Sequence, residues 1–285
     1  MSPSGDRGGT VSPMKSRRNG GMFVDISFYT AAVGAHQQQR RLDVHANNIA
    51  NVNNYGFRAR RPNFQTLMTG AVRATDEDFQ RGVGSRLEGD QADFTPTGFW
   101  GTERALDYAI SGNGFFALLD PTTGEYSYTR EGSFTLSNVV QTTQPEVPED
   151  AEEGAEAPQA QTVTTWYLSD GNGRYVLGRD GRPITVPDPA DDSIMVGNPL
   201  PVGIFDFINH DGMQSEGLSG FIPVEKNGQV TYGEGTLKQG YLELSNVDYA
   251  YELAKVIESQ RSFQYMLRMA QTSDEITSTV NGLRS

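Results

Sequence analysis

Cysteine is absent from the 285-residue chain, which removes thiol catalysis, a disulfide framework and cysteine-ligated zinc together. That absence also suits a protein that works outside the cytoplasm. Long apolar runs are missing as well. No stretch approaches the roughly 20 apolar residues that a membrane-spanning helix needs, and the N-terminal residues have no apolar core of the kind a signal peptide requires. Basic charge is short: 23 Lys and Arg against 36 Asp and Glu leave a formal net charge of −13. An acid excess of that size argues against a general nucleic-acid binder, whose phosphate contacts need clustered cations. Hydrophobic content is low at 36%, and 32 glycines predict many turns and short strands. The length still suffices for one large or two ordinary domains of about 100 to 200 residues.

What is present divides the chain by period. Residues 1–21, with Arg7, Lys15, Arg17 and Arg18 among Ser, Gly and Pro, read as a disordered basic extension. Met22 is an alternative start; a tag, a misassigned start codon and a genuine export tail stand as equal readings. From Ser27 to Val52, Phe28, Ala32, Ala35, Gln39, Leu42, Ala46 and Ile49 alternate spacings of four and three, the pattern of a heptad seam. Asp25 or Ser27 can cap its start, and about 26 residues at about 1.5 Å each give a rod of about 39 Å. A helix so poor in Leu is marginal alone, so it needs a partner. The other end supplies one, because Tyr249, Leu253, Val256, Gln260, Phe263, Leu267 and Ala270 repeat the alternation in a segment free of Gly and Pro up to Gly282. Past Ala270 the stripe drifts to Ile276, Val280 and Leu283. Gln39 and Gln260 fall among the apolar positions, where a buried amide sets register or, equally, reaches water from the seam's edge.

Between the helices the period shortens to two. Strands are expected at 106–110, 114–119, 126–130, 133–136, 166–168, 174–177, 184–186, 202–208 and 229–232. Asn113-Gly114, Thr123-Gly124, Asp170-Gly171, Asp180-Gly181, Asp211-Gly212 and Asn227-Gly228 punctuate them as turns. Residues 141–161, with Glu146, Glu149, Asp150, Glu152, Glu153 and Glu156 among prolines, read as an acidic disordered insertion. The expected fold is α+β: terminal heptad helices paired as a coiled coil around a central all-β domain of short strands. Its divisions are a helix at 22–60, a linker and extended segment at 61–105, the β domain at 106–239 and the closing helix at 240–285.

No catalytic, cofactor or metal set emerges. His36 and His45 stand nine positions apart, not at the i, i+4 spacing of a zinc pair. His210 sits in an Asn-His-Asp-Gly turn and is more simply a turn residue than a base. No G-x-S-x-G elbow occurs. The segment from Asp170 starts like a calcium loop, yet Arg174, Tyr175 and Gly181 occupy positions where ligands or the invariant Gly belong. Gly82, Gly84 and Gly89 lack the following Lys-Ser/Thr of a phosphate cradle. Carboxylates abound, but a glycosidase-like pair is recognised only by geometry.

The run Ala46-Asn47-Asn48-Ile49-Ala50-Asn51-Val52-Asn53-Asn54-Tyr55-Gly56-Phe57-Arg58 resembles the signature of flagellar rod and hook proteins, in which a helix ends in an Asn-rich run before a Gly-aromatic-basic step. Phe28 to Ala35 and Gln37 to Arg40 look like that family's start. Gly240 to Asp248, including Ser245 and Asn246, and the helix through Gln260-Arg261-Ser262-Phe263-Gln264 are similar to its closing motif. Leu106 to Phe116 and Tyr128 to Phe134 resemble its β domain. Within this family the subfamily most similar is the distal rod, with the proximal rod next. The extension before Met22 and the insertion at 141–161 depart from the pattern.

The resemblance implies a non-enzymatic structural subunit of the basal-body rod that polymerises into a helical axial tube and transmits motor torque to the hook. It implies no cofactor. Its implied partners are further copies of itself, other flagellar rod and hook proteins and the flagellar export apparatus, with no nucleic acid and no membrane insertion. The implied place is the flagellar basal body, across periplasm or cell wall, reached without a cleaved signal peptide. Assembly-interface candidates are Phe28, Ala32, Ala35, Leu42 and Ile49 on the first helix and Leu253, Val256, Ile257, Phe263 and Leu267 on the second. Family-motif candidates are Asn47, Asn48, Asn51, Gly56, Phe57, Ser245, Asn246, Gln260 and Arg261. Outside this reading stand a hook-type axial protein, a secreted β-domain binding module and a peptidoglycan hydrolase.

Overall fold

The computed structural model describes residues 20–66, 70–74, 77–81, 85–143, 161–186 and 195–283. Residues 1–19 of the basic extension, Gly82, Gly84 and residues 144–160 of the acidic insertion lie outside them. Helix α1 (Gly20–Ala50) opens the described chain and α2 (Tyr249–Gly282) closes it. α1 begins upstream of the expected cap at Asp25 or Ser27. No proline interrupts the chain between Pro13 and Pro62, and the glycines at its start oppose helix by only about 1 kcal/mol each.

Between the helices run β1 (Arg60–Thr66), β2 (Gly70–Ala74), β3 (Glu77–Arg81), β4 (Ser85–Ala92), β5 (Phe99–Gly101) and β6 (Tyr108–Ser111). Then come β7 (Phe116–Leu119), β8 (Tyr126–Thr129), β9 (Thr135–Thr143), β10 (Gln161–Ser169), β11 (Tyr175–Val176) and β12 (Thr185–Val186). The last are β13 (Phe205–Phe207), β14 (Gln214–Glu216), β15 (Gly220–Ile222), β16 (Val230–Tyr232), β17 (Thr236–Gln239) and β18 (Tyr241–Glu243). The chain is thus α+β, with a β-rich region between two terminal helices. Every strand read from the sequence overlaps one of these. The segment 61–105, read as a linker and extended segment, carries β1 to β5, and Gln141 and Gln161 belong to the paired strands β9 and β10.

The residues divide into two compact units. The first takes the described parts of Met1–Gln39, Thr66–Ser85 and Gln260–Ser285. In it β2 pairs antiparallel with β3, and the two helices approach through small residues. Ala31 and Ala35 are buried, the Met266 sulfur lies 3.1 Å from where a β-carbon on Gly34 would sit, and the Ser27 and Ser273 hydroxyls are 2.7 Å apart. Matching 27 with 273 and 34 with 266 makes the approach antiparallel.

The second unit, Arg40–Gln65 with Arg86–Ser259, is built on a sheet of order β12-β10-β11-β7-β8-β15-β14, with β9 added beside β10. Its central strand explains the fully apolar run Phe115-Phe116-Ala117-Leu118-Leu119. Phe116 and Leu118 enter a core with Tyr108, Phe134, Leu168 and Val176. Phe115 and Ala117 enter another with Tyr128, Phe205, Phe207 and Phe221. A strand covered on both faces needs apolar side chains at every position rather than at alternate ones. Shorter ribbons join distant parts of the sequence: β1 with β4, β6 with β17 and β5 with β18. Among the described residues no helix is long and apolar enough to cross a membrane.

Candidate functional site at the buried junction of the terminal motifs

The Asn-rich run forms the C-terminal stop of α1 and the start of a polar junction inside the second unit. Asn51 bonds its backbone N–H to the carbonyls of Asn47 and Asn48 at 3.2 and 3.1 Å, and its side-chain amide also donates to Asn47 O at 2.8 Å. Asn54 then donates to Asn51 Oδ1 at 2.7 Å. Carbonyls that a helix end leaves without partners are thus satisfied locally, which is why short amides suit this position. Gly56 turns the chain with φ +67° and donates its N–H to Glu243 O at 2.8 Å.

A β-carbon on Gly56 would stand 2.4 Å from Glu131 N and 2.5 Å from Arg130 C, backbone atoms that cannot swing aside. Gly56→Ala therefore combines a left-handed conformation, about 1 to 2 kcal/mol for a residue with a β-carbon, with a steric overlap. The expected result is a loss of at least about 2 kcal/mol, read as a lowered urea midpoint at unchanged slope.

Past the turn, Phe57 and Arg58 are fully buried. The Arg58 guanidinium meets Glu243 Oε1 at 2.5 Å and donates to Thr95 O at 3.1 Å. Arg130 reaches the other oxygen, Glu243 Oε2, at 3.2 Å and donates to Gly112 O at 2.8 Å. Burial pushes the Arg130 guanidinium below its ordinary value, against the pull of Glu243 and with the push of Arg58.

Asn48 works as a substitute strand. Its Oδ1 accepts from Arg60 N at 2.9 Å and its Nδ2 donates to Arg60 O at 2.8 Å, so one side chain closes both backbone bonds at the first residue of β1. The same Nδ2 donates to Glu252 Oε1 at 3.0 Å, while Glu252 Oε2 faces His45 Nδ1 at 2.5 Å. Asn48→Ala should destabilise by about 1 to 3 kcal/mol, because it strands a buried carboxylate oxygen and both Arg60 backbone groups. Hydrogen exchange at the Arg60 amide should accelerate with it; an unaffected Arg60 amide would refute the role.

The closing motif is pinned by Asn246, whose Oδ1 accepts from Ala59 N at 2.6 Å and whose Nδ2 donates to Asp93 O at 2.7 Å. Asp248 then caps α2, accepting from Ala250 N and Tyr251 N at 3.0 and 3.1 Å.

Of the residues singled out from the sequence, Asn47, Asn48, Asn51, Gly56, Phe57 and Asn246 come together here. Ser245 lies in the same turn and accepts from Val247 N. Gln260 and Arg261 are exposed residues of α2 that belong to the first unit. Among the interface candidates Ala35 is buried; Leu42, Ile49, Val256 and Phe263 are half-buried; Phe28, Ala32, Leu253, Ile257 and Leu267 are exposed. Sequence reasoning missed the charged members. His45 was weighed only as half of a metal pair, and its Nδ1 is a hydrogen-bond partner of Glu252 Oε2. His210 faces Asp206 at 2.7 Å and packs edge-on to Phe94 and Phe115.

Three family models match the chain in order: "Flagella basal body rod protein" at residues 28–58, "Flagellar hook protein FlgE/F/G D1 domain" at 109–147 and "Flagellar basal body rod FlgEFG protein C-terminal" at 238–283. The chain is 30% identical to the flagellar basal-body rod protein FlgG of Bacillus subtilis (strain 168), across 90% of its own length and 98% of that protein. It belongs to the flagellar basal-body rod protein family. Identity is also 30% to the FlgG rod protein of Caulobacter vibrioides, over 90% of this chain and 98% of the relative. It is 28% to the FlgF rod protein of Mesorhizobium japonicum, over 89% and 97%.

Seen as a rod-family chain, the buried triad has a definite place. Arg58 is the last residue of the first matched segment, Arg130 lies in the second and Glu243 in the third. One carboxylate therefore ties together the three pieces by which the family is recognised.

Proposed function

We propose that the chain is a structural, non-enzymatic subunit of the flagellar rod, which polymerises through its terminal helices into a helical axial tube and carries torque toward the hook. One observation supports this reading most: the helices bury small or polar side chains and leave large apolar ones exposed. In the second unit Glu252 and Ser259 of α2 are 5% and 0% exposed, whereas Leu253 and Ile257 are 42% and 44% exposed. In the first unit Ala31, Ala35 and Ser273 are covered, while Phe28, Tyr29, Val33, Tyr265, Met269 and Ile276 face out.

A chain that had only to satisfy itself would place these the other way round. Outward apolar stripes on both helices are what lateral packing of further copies requires. A heterologous contact of that kind extends into an open helix rather than closing a ring. The coiled-coil seams of Phe28, Ala32, Ala35, Leu42 and Ile49 and of Leu253, Val256, Phe263 and Leu267 belong to that assembled state. Export through the flagellar apparatus, without a cleaved signal peptide or membrane insertion, and a distal position next to the hook complete the reading.

The test is electron microscopy with sedimentation of the full chain over a concentration series, together with immunogold labelling of isolated basal bodies. Concentration-dependent filaments and label at the hook end of the rod are expected. Label at the opposite end would move the subunit to the proximal rod, and a chain that stays monomeric and labels no basal body would refute the proposal.

A further inference from the structure

Strand β9 forms one edge of the large sheet in the second unit. Among the described residues it pairs with β10 and with no other strand. Leu168 of β10 donates its N–H to Ile184 O at 3.0 Å, away from β9, and Leu136 stands directly opposite Leu168 in the ladder. Antiparallel partners alternate between bonding each other and turning outward together. The N–H and C=O groups of Leu136, Asn138, Val140 and Thr142 therefore point to the free edge.

Two features separate this edge from one that is merely solvated. Proteins blunt an exposed edge with lysine, proline, a bulge or shortness. β9 runs nine residues, Thr135–Thr143, with no charge and no proline, and its register against β10 is unbroken. In addition, β10 has strand neighbours on its other side only between Trp166 and Ser169. The pairs from Val139–Thr165 to Thr143–Gln161 thus extend as a ribbon of two strands, which is marginal in water without a third.

The same unit carries a matching edge. Among the described residues β16 pairs with β13 alone. Gly233 donates its N–H to Ile204 O, and Phe205 exchanges both backbone bonds with Phe115. By the same alternation Val230 and Tyr232 turn their N–H and C=O groups away from β13. Residues 229–233 read Gln-Val-Thr-Tyr-Gly, without charge, and all three residues of β16 are exposed.

We propose that the free edge of β9 is a strand-addition site whose occupant is β16 of a second copy of the chain. The proposal rests on the rod-subunit reading for the identity of the partner. Main-chain hydrogen bonds from the outward groups around Val140 to Val230 and Tyr232 of the second copy hold the contact, as in other strand additions. A second copy is favoured because this chain carries both edges and neither is charged. Two molecules of net charge −13 meet there without opposing carboxylates. The two edges differ, so the contact is heterologous and repeats from copy to copy instead of ending at a pair.

The chain has no cysteine, so single introduced thiols report the contact. Full-length Val140→Cys and Val230→Cys proteins are oxidised separately and as a mixture at assembling concentration. The mixture should give at least about tenfold more linked species than either protein alone. Val140→Pro removes an outward N–H that the β9–β10 ladder does not use, a place where an edge strand tolerates proline. Its thermal midpoint should stay near wild type, while the concentration needed for sedimentation rises roughly tenfold with the lost backbone bond. Val140→Thr keeps the N–H and should assemble as wild type does.

Linkage of Val140→Cys to itself in the absence of the second protein would set β9 against β9 and overturn β16 as the occupant. A sedimenting mixture without linkage, together with Val140→Pro assembling like wild type, overturns the strand contact. A chain that never sediments counts against the rod reading. Linkage in that unsedimented mixture would still support the strand contact, and its absence there would overturn the contact as well.

Discussion

Replacing Glu243 by alanine is expected to destabilise the second unit by about 3 to 5 kcal/mol, the cost of leaving buried charges without their counter-ion. Arg58 and Arg130 are 2% and 6% exposed, so neither can turn to water when the carboxylate is removed. Their remaining bonds, to the carbonyls of Thr95, Ile110 and Gly112, orient the guanidinium groups without neutralising them. Two like charges would then face each other across the vacated site in a poorly solvated setting.

Glu243→Gln should fall between the wild type and Glu243→Ala, since an amide retains one acceptor but no charge. Arg58→Lys should also be costly, because an ammonium lacks the planar fork that serves Glu243 and Thr95 together. Urea denaturation monitored by tyrosine and tryptophan fluorescence measures all three. A midpoint within error of wild type for Glu243→Ala would show that the three family segments are not tied at this carboxylate. The triple arrangement also predicts strong non-additivity: Arg58→Met and Glu243→Ala combined should cost less than their sum.

The sequence made the sheet and the helices legible for reasons that differ from those that hid the junction. Phe115 to Leu119 announced a strand because both faces are buried, so apolarity is unbroken over the run. The stop after Ala50 was visible because Asn51 and Gly56 act on their immediate neighbours. Arg58 and Glu243 instead lie 185 positions apart, and His45 and Glu252 lie 207 apart. A charged residue in a single sequence reads as surface, since burial becomes affordable only when a distant partner arrives.

The strands between Arg60 and Gly101 were concealed for a related reason. β5 finds its partner in β18, and β1 and β4 form a two-stranded ribbon of polar sequence, so neither shows the alternation of a half-buried sheet. The heptad seams were legible as apolar stripes but silent on which surface they cover. Within each unit the helices meet through Ala, Gly, Ser, Met266 and ionic groups, and several larger apolar positions, among them Leu253, Ile257 and Met269, stay exposed.

Leu253→Asp follows from that arrangement and should separate folding from assembly. At 42% exposure Leu253 contributes little to the isolated subunit, so the aspartate meets water there and the unfolding midpoint should shift by no more than about 0.5 kcal/mol, as for ordinary surface substitutions. In an assembled tube the same position would be covered. Placing a carboxylate there forfeits about 1.5 to 3 kcal/mol of apolar burial and adds the larger penalty of desolvating a charge without a partner.

Each copy in a helical array makes the contact in both directions along its strand, so the defect recurs at every addition. Filament formation should be abolished at concentrations where wild type assembles fully, and cells carrying only the variant should be non-motile while holding normal amounts of the protein. Ile257→Asp, at 44% exposure on the same helix, should behave alike. Glu258→Gln provides the contrast: it changes an exposed carboxylate at a neighbouring position and should leave filament length near wild type. Normal motility in Leu253→Asp would mean that the outward stripe of α2 is not an assembly surface, and the exposed apolar side chains of α2 would then need another cause.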